Sequence, residues 1–90
     1  MPDIESQGRI NNALIGAQKL LLVTPNDSVD LPGGVCEWLW VGGAGAISII
    51  AEDDTNPVLV SGVPAGTKLD IRAKRVRATG TVATLIVACY

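Results

Sequence analysis

The sequence predicts an all-β protein, a small antiparallel β-sandwich or barrel of jelly-roll-like form with an N-terminal arm. Three observations carry the prediction. From Lys19 onward, short runs of aliphatic and β-branched residues alternate with Gly, Pro, Asn and Asp punctuation, the pattern of packed antiparallel sheets rather than of βαβ units. No apolar stripe of 3.6-residue period is sustained long enough for a stable helix. A chain of 90 residues suits one domain with a modest core. Residues 1–17 read as the arm and 18–90 as the single β domain.

The arm is polar and small in composition and then runs Ile10-Asn-Asn-Ala-Leu-Ile-Gly-Ala17, with neither alternation nor a helical stripe beyond one possible turn. Such a segment is expected to be ordered only by docking on a neighbour. Lys19-Leu-Leu-Leu-Val-Thr24 is the first β run, ended by Pro25-Asn-Asp-Ser28. Val29 to Gly34 is a short extended piece closed by a turn. Cys36-Glu-Trp-Leu-Trp-Val41 alternates, with Cys36, Trp38 and Trp40 on one face and Glu37, Leu39 and Val41 on the other. Both faces are largely apolar, which predicts a central strand. Gly42-Gly-Ala-Gly45 supplies the conformational freedom of a hairpin connection to Ala46–Glu52. Asp53 to Pro57 is a polar loop, Val58–Val60 a short strand, and Gly62 to Gly66 a turn. The last runs, Thr67 to Arg77 and Thr81 to Tyr90, are expected to form a hairpin through Ala78-Thr-Gly80.

That C-terminal pair holds the main candidate surface. Leu69, Ile71 and Ala73 share one parity while Lys68, Asp70, Arg72 and Lys74 share the other. Beyond Lys74 the pattern breaks, since Arg75 and Arg77 fall on the Leu69 side. Either a β-bulge near Lys74-Arg75 resets the register or both strand faces are wet. Lys68, Arg72, Lys74, Arg75 and Arg77, five of the seven cations, are expected on this one strand. Lysines and arginines on a solvated edge strand discourage edge-to-edge pairing. The same residues can instead form a contact surface for an acidic partner, and the loop from Glu52 through Asp53 and Asp54 to Asn56 is its natural complement.

Composition narrows the function. A hydrophobic content of 48% is rich for so small a domain and implies that a partner, including another copy, covers some apolar surface. A net charge of −2 points to no bulk polyanion. Basic grooves for single-stranded nucleic acid need stacking aromatics, and the chain has no Phe and one Tyr. Trp38 and Trp40 read as packing residues before a glycan platform. No His is present, which removes Ser-His-Asp and Cys-His catalysis and His-containing zinc sites. Glu52-Asp-Asp-Thr-Asn56 lacks the spacing of a calcium loop. Gly42-Gly-Ala-Gly45 lacks the lysine and helix of a phosphate loop. No catalytic, cofactor or metal residue is therefore assigned. No run reaches a membrane span and no signal-peptide pattern opens the chain, so a cytosolic product is expected, with Cys36 and Cys89 as buried small hydrophobes.

Five segments then carry a resemblance: Val23-Thr-Pro-Asn-Asp-Ser-Val-Asp-Leu-Pro32, Leu39-Trp-Val-Gly42, Val63-Pro-Ala-Gly-Thr67, Arg72-Ala-Lys-Arg-Val-Arg-Ala-Thr-Gly-Thr81 and Ile86-Val-Ala-Cys-Tyr90. In this order and spacing they resemble the head spike base proteins of gene transfer agents and related tailed phages, over about residues 20–90. Trp40 and Cys89 depart from the pattern, where a tyrosine and a leucine are expected. The resemblance implies a non-enzymatic virion protein made in the host cytoplasm and mounted on the capsid exterior. Its implied partners are copies of itself, the major capsid protein and a spike or fibre protein, with no nucleic acid, membrane or cofactor. A capsid decoration protein without a fibre and a small carbohydrate-binding module are the alternatives.

Overall fold

The computed structural model describes residues 16–90, so all but the last two residues of the predicted arm lie outside it. Seven strands follow in chain order: β1 Leu20–Leu22, β2 Trp38–Gly43, β3 Ile47–Ala51, β4 Val58–Val60, β5 Thr67–Leu69, β6 Ala73–Arg77 and β7 Thr84–Cys89. They form two antiparallel sheets, one of four strands in the order β1-β7-β2-β5 and one of three in the order β4-β3-β6. The fold is a small β-sandwich, as the short punctuated runs predict.

The core lies between the inward faces. Leu39 and Val41 of β2 and Ile86 and Ala88 of β7 face Ile47 and Ile49 of β3 and Ala73 and Val76 of β6, all buried. Full burial of each Leu, Ile and Val side chain among them is worth about 1.5–3 kcal/mol. Leu69, Ile71, Val60 and Tyr90 close the edges of the cluster. The prediction that β2 is central holds, since it pairs with β7 on one side and β5 on the other. Cys36 and Cys89 are buried free thiols, and burial pushes both above the ordinary thiol value.

Three expectations are corrected, two about strand pairing and one about burial. The predicted C-terminal hairpin does not exist: β6 pairs with β3 while β7 pairs with β1 and β2. The run Thr67 to Arg77 is two strands in opposite sheets, joined where the Ile71 N–H donates to the Leu69 carbonyl at 2.9 Å, the closure of a three-residue turn. Leu69, Ile71 and Ala73 all face the one core as the chain crosses between sheets, so their alternation runs on without marking the crossing. Likewise Gly42–Gly45 joins β2 to β3 across the sandwich and is no hairpin. Gly45 has φ +145°, and a Cβ there would meet the Ala83 backbone. Finally, Trp38 and Trp40 do not pack in the core. Cys36 is buried, but the alternation does not carry through Glu37 into β2, where Leu39 and Val41 point inward and the tryptophans outward.

The parity break in the basic run is a β-bulge. Ile50 pairs with Arg75 and Ala51 with Ala73, which leaves Lys74 as the extra residue. The bulge lets Ala73 and Val76, three positions apart, both reach the core.

Candidate assembly interface

Arg72, Arg75 and Arg77 belong to the three-stranded side of the molecule, and each is matched by a carboxylate of its own chain. Arg72 Nε donates to Glu52 Oε1 at 2.8 Å, and that bond, then the charge of the same carboxylate, raises the guanidinium above its ordinary value. Arg75 Nε donates to Asp30 Oδ1 at 2.8 Å and its Nη1 to the Asp27 carbonyl at 3.2 Å. Arg77 lies 3.4 Å from Asp27. The segment carrying Asp27 and Asp30 also pairs with β6 through its backbone, the Asn26 N–H donating to the Val76 carbonyl at 2.9 Å and the Leu31 N–H to the Lys74 carbonyl at 2.8 Å. These arginines pin the loop over the β6 edge. Solvent screens exposed ion pairs of this kind, so their effect is to fix geometry more than to add stability.

The other predicted residues separate from them. Lys68 lies on β5 in the four-stranded sheet, its ammonium 4.6 Å from the Trp38 ring centroid and 3.5 Å from Asp70. Lys74 is the half-buried bulge residue. Asp53 and Asp54 sit in the turn between β3 and β4, where the Asp54 N–H donates to the Ala51 carbonyl at 3.0 Å. The single basic strand expected from sequence is thus divided between two sheets, and only Arg72 touches the predicted acidic loop.

Sequence reasoning missed the outer face of the four-stranded sheet. The register places Leu20, Cys89 and Trp38 in one transverse row and Leu22, Val87, Trp40 and Lys68 in the next. Leu20 and Leu22 are 63% and 67% exposed and Trp40 42%. Leu85 extends the surface at 68% exposure, with φ +52°, a conformation uncommon for any residue but glycine and a genuine outlier for a bulky one. The uninterrupted Leu20-Leu-Leu22 and the two-faced apolar β2 were the available signals. The Lys68 ammonium over Trp38 leaves that ring poorly placed as a sugar platform. Among the described residues no group of three His, Cys, Asp or Glu side chains gathers as a metal site would require.

Neither family models nor curated proteins give a match to this chain. Among solved structures it is similar to a chain in the "Capsid of native GTA particle computed with C5 symmetry", GTA standing for gene transfer agent. Identity is 31%, the alignment covers 98% of this chain and 99% of that one, and the TM-score is 0.77. The chain belongs to the family of that GTA capsid component. Membership agrees with the five segments noted above, which fall on both sheets and on the loop along β6, and it extends beyond them to nearly the full length. The GTA family assignment therefore covers the apolar outer face as well as the arginine-pinned side.

Proposed function

We propose that this protein is a non-enzymatic structural component of a virion-type particle, mounted on the outside of the capsid as the base that anchors a head spike or fibre. The near full-length likeness to a GTA capsid component carries the reading. The five sequence segments support the finer role of spike base, and the exposed apolar sheet face supports a protein whose working state is bound. Its partners in this role are further copies of itself, the major capsid protein and the spike or fibre protein. Lys68, Asp53 and Asp54 serve the assembly contacts, while Arg72, Arg75 and Arg77, with Glu52, shape the surface on which those contacts form. Lys74 contributes through the bulge that orients the adjacent Arg75.

The test is a cryo-EM map of particles with and without the gene. The expected result is loss of density for this protein and for a protruding fibre at the same positions, with the shell intact. Density at every local symmetry axis, and fibres retained after deletion, would replace this role with that of a decoration protein.

A further inference from the structure

Six of the eight exposed large apolar side chains among the described residues fall into two groups, with Val29 and Val82 standing apart from both. One is the outer face of the four-stranded sheet, with Leu20, Leu22, Trp40 and Leu85 exposed and Lys68 at the end of its second row. Lys68 pairs with Asp70 at 3.5 Å, and with the two side chains 52% and 80% exposed solvent screens that pair strongly. The other group is the β3–β4 hairpin. Val58 and Leu59 are each 56% exposed on a strand that among the described residues pairs only with β3, and Asp53 and Asp54 stand in the adjoining turn. Among the described residues neither aspartate forms an ion pair, whereas Glu52 is held by Arg72.

The two groups match in chemistry: an apolar face with a cation held by one exposed, screened pair, and an apolar edge with two aspartates that form no ion pair among the described residues. They lie on different sheets of the sandwich, so one molecule cannot bring them together. We propose that they meet between copies, the β3–β4 hairpin of one chain lying on the four-stranded face of the next with Asp53 and Asp54 directed at Lys68. The contact is head-to-tail, and such a contact closes into a ring when its rotation permits. The apolar side chains supply the buried area, and the charge match fixes the register. Leu85, kept in an unfavourable conformation while its side chain stands in water, is then explained as an anchor presented to the neighbouring hairpin. This inference rests on the assembly reading above and names the surfaces that would make it.

Sedimentation and native mass measurements on the purified full chain at low salt test it. The wild type should associate with rising concentration. Lys68→Glu, and Asp53→Lys with Asp54→Lys, should each weaken association at least tenfold. All these positions lie at the surface, and far-UV CD with thermal melts checks that each variant is folded. Combining the three changes in one chain, or mixing the two charge variants, should restore association, because each hairpin again faces an opposite charge. Leu22→Ser should weaken association without rescue by charge reversal. A wild type that stays monomeric, a double aspartate variant that associates like the wild type, or a triple variant that fails to recover would overturn the proposal. An unaffected aspartate variant together with a weakened Leu22→Ser would indicate face-to-face packing instead. Particle incorporation of the same variants is a separate readout, so loss of this contact is distinguishable from loss of the capsid role.

Discussion

Asp27 shows how much one side chain can organise. Its carboxylate accepts from the Thr79 backbone N–H at 2.9 Å and from the Thr79 hydroxyl at 2.7 Å, beside Arg77. Those bonds, the backbone one foremost, hold its pKa below the ordinary 3.8. A carboxylate with a lowered folded pKa contributes stability that is complete above its unfolded pKa and is lost as pH falls through the folded value. Asp27→Ala should therefore lower the Tm at pH 7, and the gap to wild type should shrink as pH drops below about 4. Thermal melts at pH 7 and pH 3 check this, and a gap that stays constant would count against the account. The local part of this arrangement was legible: Asn26 Oδ1 accepts from the Ser28 and Val29 N–H groups at 2.8 and 3.0 Å, the Asx turn that Pro25-Asn-Asp-Ser28 announces. The remote part was not, because nothing in the spacing of Asp27 and Thr79 says that they meet.

At the scale of elements, sequence located strands well and pairings poorly. Val58–Val60 is observed with the bounds expected, and the bulge falls at Lys74 where the parity of charged and apolar residues breaks. Alternation reports which way a side chain points relative to the core. It is silent on which sheet carries it, because both sheets of a sandwich point at the same core. Leu69-Asp-Ile-Arg-Ala73 therefore reads as one strand although it leaves one sheet and enters the other. Glycine misleads in the same way at Gly42–Gly45, where small size serves close backbone approach and not a hairpin. Gly45→Ala should cost about 1–3 kcal/mol, from the strained φ and the contact with the Ala83 backbone. Urea titration measures it, and a variant within a few tenths of a kcal/mol of wild type would remove the argument.

For the whole molecule, the two outward faces differ in kind. The arginine-bearing side is satisfied by carboxylates from its own loops, and the four-stranded face is apolar and open. The charged residues of the candidate site were legible by type, but the ion-pair partners of Arg72 and Arg75, 20 and 45 positions away, were not, and those partners fasten the arginines within the chain. The apolar face was hidden for the opposite reason: a strand apolar on both sides looks buried, and only the shortage of covering elements exposes it. Strand order also governs how the protein is made. Among the described residues consecutive strands pair only in β3–β4, and β7 lies between β1 and β2, so refolding should take milliseconds to seconds, as for sandwiches dominated by non-local contacts. Stopped-flow Trp fluorescence tests this, and a microsecond phase carrying the full amplitude would refute it. During synthesis the larger sheet lacks one of its two inner strands until Cys89 has cleared the ribosome. Until then β1 has no partner and one edge of β2 stays open to any passing strand. Whatever the state of the smaller sheet, the larger one is assembled last, because its β1 and β2 are joined only through β7.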